Sequence, residues 1–113
     1  MKVLVCGSRH FNDYELLESV LDKIDITTLI HGAARGADTL GGEYAKRRGI
    51  NAIAFPADWH QYGRSAGPIR NYKMLKEGQP DCVIAFLHEN SRGTRHMIEI
   101  ARKADIEVKV INI

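Results

Sequence analysis

No stretch of this chain approaches the ~20 consecutive apolar residues that a membrane-crossing helix needs, so a bilayer has no place in the expected architecture. The first residues lead straight into a strand-like run, without the charged and apolar stages of a secretory leader. Cysteine is scarce. Cys6 and Cys82 are the only two, neither at metal or redox spacing from a partner, and both beside apolar runs; they read as buried free thiols. That suits a reducing, cytoplasmic setting. No Gly-x-Gly-x-x-Gly follows the first strand and no Gly-Lys-Ser/Thr occurs, which excludes an ordinary dinucleotide site and a P-loop. A strong charge of one sign is missing too. The net charge of +2 is too weak to imply a nucleic-acid partner. The 7% of aromatic residues leaves few platforms for stacking bases of a single strand.

What is present is one domain's worth of chain, residues 1–113, with 44% apolar and 27% charged residues, as in ordinary globular proteins. Residues 2–6 form an apolar run that reads as a central strand of a covered parallel sheet. A helix start follows: Asn12 as N-cap, Glu15 closing a capping box, and Phe11 stapled to Leu16. This helix runs to about residue 23 with Leu16, Leu17, Val20 and Leu21 on its buried stripe. Strands are expected over 27–30, 52–55, 81–87 and 107–111, and helices over 39–48, from Pro68 to Gly78, and over 94–104. The one long connection, 56–67, holds the only tryptophan, Trp59. Five strands alternating with four helices predict an α/β, Rossmann-like three-layer sandwich. Its five-stranded parallel sheet takes the order 3-2-1-4-5, with helices on both faces. Ligands of such sheets bind beyond the carboxyl ends of the strands, here between strands 1 and 4.

Three loops carrying glycine and arginine are predicted to meet at that edge: Gly7-Ser8-Arg9, His31 to Asp38, and Ser91-Arg92-Gly93-Thr94. Gly32 and Gly36 allow close backbone approach. The helix start behind them favours an anion, and Arg35 supplies a planar fork of donors for phosphate oxygens. The competing reading is a tight turn whose small residues serve packing alone. Arg9, Arg70 and Arg92 add charge that could neutralise a pyrophosphate. Asp38 is either an N-cap, a ribose contact or a partner for Arg35. Asp58 and Trp59 fall where a ribose or base would be met. His10, His31, His60 and His88 lie near strand ends but lack metal-ligand spacing, so no metal is expected. Ser8 has no paired base, which argues against acyl transfer.

Together these runs, with Phe55 to Trp59 and Ala66-Gly67-Pro68-Ile69-Arg70-Asn71, resemble the YspA-like, cpYpsA-related branch of the SLOG superfamily, which also holds the DprA/Smf and LOG proteins. The resemblance spans nearly the whole chain in order. It implies a Rossmann-like fold and a pocket for a nucleotide or nucleotide-derived ligand, ADP-ribose derivatives among them. LOG enzymes cleave the N-glycosidic bond of nucleoside monophosphates with an arginine and a glutamate. Arg70 matches the arginine and Gly93-Thr94 the Gly-Thr of the motif, but Met97 stands in the glutamate's place. Glu99, two residues on, is turned about 200° round the helix. Asp38, Asp58 and Glu43 are the substitutes on offer for the carboxylate that glycosidic cleavage requires.

The reading that follows is a binder that senses or sequesters a nucleotide-derived ligand, with no cofactor. Its ligand-binding residues would be Gly7, Ser8, Arg9, Gly32, Arg35, Gly36, Asp38, Asp58, Trp59, Arg70, Asn71, Arg92, Gly93 and Thr94. The alternative is a nucleotide N-glycosidase or phosphoribohydrolase using Arg70 with Asp38 or Asp58. Single-stranded DNA binding by analogy with DprA is the third and least supported. A homo-oligomer is expected, with the glycine pair Gly41-Gly42 allowing close helix packing between subunits.

Overall fold

A computed structural model describes all 113 residues, Met1–Ile113. Lys2–Gly7 (β1), Thr28–His31 (β2), Asn51–Ala54 (β3), Cys82–Leu87 (β4) and Glu107–Asn112 (β5) pair as one sheet in the order β3-β2-β1-β4-β5. Every pairing is parallel. This is the α/β, Rossmann-like architecture that the alternation of elements predicts. β1 and β4 sit at the centre, and their apolar runs are buried because helices cover both faces.

The helices are Tyr14–Leu21 (α1), Ala37–Arg48 (α2), Trp59–Tyr62 (α3), Ala66–Gly78 (α4) and Arg92–Lys103 (α5). Alternate strand residues feed two cores. Val3, Val5, Leu29, Ile84 and Phe86 pack with α1 and α2 on one face. Leu4, Cys6, Ile30, Val83 and Ala85 pack with α4 and α5 on the other. Cys6 and Cys82 are both buried and unpaired. No helix is long and apolar enough to cross a membrane.

Several local expectations are corrected. The N-cap of α1 is Asp13, whose carboxylate accepts from Leu16 N at 3.0 Å, so the capping box from Asn12 to Glu15 does not form. Phe11 is the reason for the one-residue shift: it is drawn into the core, stacked on Phe86 with ring centroids 4.8 Å apart. The connection after β3 is not structureless. It carries α3 and a 3-10 turn, Gly63–Ser65. Pro68 lies one turn into α4 rather than at its first residue, where its missing N–H still costs no helical bond. α5 begins at Arg92, so Gly93 and Thr94 belong to the helix and not to the loop. The glycine pair of α2 faces the chain's own sheet. A Cβ on Gly41 would lie 3.2 Å from Val5, and one on Gly42 3.2 Å from His31, so the pair serves packing within the subunit.

Candidate functional site

The carboxyl edge of the sheet is built backbone against backbone. Ser8 N donates to the Phe86 carbonyl at 3.0 Å, which joins the loop after β1 to β4. The Ser8 carbonyl accepts from Ala37 N at 3.2 Å, satisfying the first free N–H of α2. Two glycines make this possible. A Cβ on Gly7 would lie 2.6 Å from the Phe86 carbonyl oxygen. Gly36, the N-cap of α2 at φ 78°, presents its bare Cα to the Ser8 carbonyl. Packing therefore accounts for Gly7 and Gly36. Gly32 is different: its missing side chain makes room for the guanidinium of Arg70 and the carboxylate of Asp38.

Asp38 is the buried charge of the site. Its Oδ2 accepts from Gly32 N at 3.1 Å and Ala34 N at 3.2 Å, so it folds the loop around itself. It is neither the N-cap of α2 nor a partner of Arg35. Burial pushes its carboxyl up to about 6, against the backbone hydrogen bonds and the nearby Arg70, which pull it down. Cys6 lies behind it, and burial together with that carboxylate pushes the thiol well above the ordinary range. His31 supports the same loop: its Nδ1 accepts from Ala33 N at 3.0 Å, and burial lowers its tendency to protonate. Thr39 closes the turn by donating to the Ala34 carbonyl at 2.8 Å. Ala33 takes the left-handed conformation at φ 58°, a cost of about 1–2 kcal/mol that these three side chains hold in place.

Arg70 reaches across from α4. Its Nη1 donates to the Gly32 carbonyl, and its Nε donates to Asn71 Oδ1 at 3.1 Å. Asn71 is buried and its Nδ2 donates to the Gly93 carbonyl at 3.2 Å. The loop after β2 and the start of α5 are thus joined through α4. Arg9, Arg35 and Arg92 stand exposed around this edge, and none of them, nor Arg70, forms an ion pair.

The other predicted residues divide. Ser8 and Thr94 are buried at the edge, and Ser8 Oγ accepts from His10 N at 3.1 Å. Gly93 has open space where a side chain would be. Asp58 caps α3, accepting from Gln61 N at 3.0 Å, and Trp59 beside it is 60% exposed. Met97 is fully buried, and Glu99 points away into a pair with Lys103 at 3.0 Å. Glu43 is held by Arg47 at 3.0 Å. No three His, Cys, Asp or Glu side chains come together as a metal site. Arg95 lines a separate open hollow of about 620 Å³ between α5 and β5, floored by Leu87, Ile98 and Val110. His96 was invisible to sequence reasoning. It lies beside Asn71, with Nδ1 at 3.1 Å from Nδ2, and no motif signals a histidine one turn into a helix.

With this geometry in view, comparison with known proteins is decisive. The profile of the YspA, cpYpsA-related SLOG family matches residues 1–62, from β1 through α3. The chain belongs to that family. The matched segment of this SLOG chain contains the first two of the three glycine-bearing loops, with Arg9, Arg35 and Asp38, and stops short of Arg70 and Gly93. A relative extends the likeness over those: the Gene 61 protein of Mycobacterium phage D29, 34% identical over 117 residues, covering 95% of this chain and 93% of that protein. Membership accords with a nucleotide-related ligand.

Proposed function

We propose that this SLOG chain is a cytoplasmic binder of a phosphate-bearing nucleotide derivative, of the ADP-ribose kind, which it senses or sequesters. The ligand lies at the edge between β1 and β4. The observation that carries the reading is the set of four arginines without an ion pair, Arg9, Arg35, Arg70 and Arg92, around a loop whose own carboxylate, Asp38, is turned inward. Guanidinium groups without an acidic partner invite an anion, and phosphate oxygens match their planar fork. Gly93, Thr94 and Ser8 complete the phosphate contacts, and the exposed Trp59 meets the base.

Binding is favoured over glycosidic cleavage because each offered carboxylate is engaged. Asp38 holds two backbone N–H groups, Asp58 caps α3, Glu43 and Glu99 are paired, and Met97 occupies the motif position. An oxocarbenium-like centre would find no free carboxylate beside Arg70. Pairing of chains belongs to the same proposal. Ile53, Trp59, Tyr62, Ile69 and Tyr72 are large exposed apolar residues that a second copy could cover, and light scattering tests it.

The deciding experiment is a thermal-shift screen with ADP-ribose, nucleoside mono- and diphosphates and cyclic nucleotides, with mass spectrometry of the supernatant. Ligand at 100 times its dissociation constant stabilises the fold by about 2.7 kcal/mol. ADP-ribose recovered intact, with the shift abolished in Arg35→Ala, supports the binder. Free base in the supernatant makes the protein a hydrolase. No shift with any phosphate compound overturns both.

A further inference from the structure

Asn71 is 5% exposed, and the chemistry of its neighbours fixes which way its amide points. Arg70 Nε can only donate, so the atom 3.1 Å from it is Oδ1. The Gly93 carbonyl can only accept, so the atom 3.2 Å from it is Nδ2. The second hydrogen of Nδ2 then goes to His96 Nδ1 at 3.1 Å. That nitrogen must accept, which places the ring proton of His96 on Nε2. Both donors of the amide are engaged within the protein, so Asn71 has none to offer a ligand. The sequence-based expectation that it contacts the ligand directly does not fit this arrangement.

We propose that Asn71 is a positioning residue that acts through Arg70. It clamps the guanidinium against the Gly32 carbonyl and ties that clamp to the first turn of α5, so that an anion meets Arg70 in one prepared geometry. The inference rests on the phosphate-binding reading above and names the residue that sets its affinity. A guanidinium has five N–H donors. Nε and one hydrogen of Nη1 are engaged by the protein, which leaves Nη2 and the remaining Nη1 hydrogen for a ligand. A fork held at two points has little freedom left to lose on binding, and less lost freedom means tighter binding. Because the same amide grips the Gly93 carbonyl, Arg70 and the start of α5 are held as one unit.

The test begins without ligand, by nitrogen-detected NMR of the wild-type protein. An Nε2–H tautomer at His96 and a slowly exchanging Arg70 Nε–H signal are expected, both lost in Asn71→Ala. Calorimetry with ADP-ribose then compares wild type, Asn71→Ala, Arg70→Lys and the double variant. Lysine keeps the charge but offers Asn71 no Nε–H. The Asn71→Ala change should weaken binding about tenfold beside Arg70, the scale of one lost hydrogen bond to a charged group. Beside lysine it should cost clearly less, since only the tie to Gly93 is left to lose. Equal losses in both backgrounds overturn the proposal, because Asn71 would then touch the ligand itself. A fall in stability with unchanged affinity overturns it as well, leaving Asn71 a packing residue. Should Asn71→Ala fail to fold, Asn71→Ser and the wild-type spectra decide. If ADP-ribose does not bind the wild type, the ligand reading fails separately. In that case a freely exchanging Arg70 Nε–H still sinks the clamp, and a protected one sustains it.

Discussion

The two ends of α2 treat arginine in opposite ways. At the last turn, Arg48 bridges Glu18 at 3.1 Å and Asp22 at 2.7 Å and lies over the ring of Tyr44, while Arg47 pairs with Glu43 and lies over Tyr14. These cations sit where the helix dipole is negative, and acidic partners neutralise them. At the first turn the dipole is positive, yet Arg35 stands there exposed and with no acidic partner, at the same sheet edge as Arg9 and Arg92. The carboxylate of that turn, Asp38, faces backbone N–H groups instead. One end of the helix is electrostatically finished. The other keeps an exposed arginine without an acidic partner.

Five substitutions and a pH series would break or sharpen that contrast. Gly36→Ala has the largest expected effect. At φ 78° a Cβ is strained by about 1–2 kcal/mol and also runs into the Ser8 carbonyl, so urea denaturation should show a protein near the limit of folding. Asp38→Ala comes next. It strips the acceptor from two enclosed N–H groups, at about 1–3 kcal/mol each, offset in part by removal of a buried charge.

The buried carboxyl of Asp38 also gives stability a pH dependence whose sign is fixed. Its folded-state value of about 6 lies above the ordinary 3.8, so the folded protein holds that proton more tightly than the unfolded chain. The stabilisation is fully present below about pH 4 and is lost as the pH rises through about 6, some 3 kcal/mol in all. His31 works with the opposite sign, since a buried neutral imidazole stabilises above its ordinary range and loses that as the pH falls. Denaturation of Asp38→Asn between pH 4 and 8 should show the first slope removed and the second left in place. An unchanged profile would mean that Asp38 is not the buried charge it is taken to be.

Gly32→Ala should cost less stability than Gly36→Ala, because the new methyl meets side-chain atoms of Arg70 and Asp38 rather than backbone. Its ligand affinity should nonetheless fall, and calorimetry with ADP-ribose separates the two effects. The smallest stability effect is expected of Arg35→Ala: an exposed arginine beside a positive helix end should leave the thermal midpoint unchanged or raise it, with binding lost. Arg48→Ala reverses the pattern, lowering the midpoint slightly and sparing binding. A loss of binding in Arg48→Ala would erase the distinction between the two ends.

Much of the frame is legible in the sequence. Apolar runs of strand length, interrupted by helix starts and stops, predict the parallel sheet and its order, and with them the place where a ligand belongs. The end of α2 at residue 48 is read just as directly, and Gly49 caps it in the left-handed conformation. Cap choice was less legible. Asn12 and Asp13 are equivalent as caps on paper, and only the stacking of Phe11 on Phe86, 75 residues away, selects Asp13. The glycines of the site loops read alike as well, although two make way for backbone and one for Arg70.

What the sequence alone determined is therefore the order of elements and the edge at which the glycine- and arginine-bearing loops gather, since both follow from hydrophobic period and short-range turn chemistry. What only the tertiary structure decided is the state of each charged and polar group at that edge: Asp38 turned inward, Asn71 enclosed, Glu99 paired away, Arg70 held by Gly32 and Asn71, and Arg9, Arg35 and Arg92 exposed without an ion pair. The physical reason is that desolvation and pairing depend on distances in space. Gly32 and Arg70 are 38 residues apart in the chain and Asn71 and Gly93 are 22 apart, yet each pair shares a hydrogen bond that local sequence does not encode.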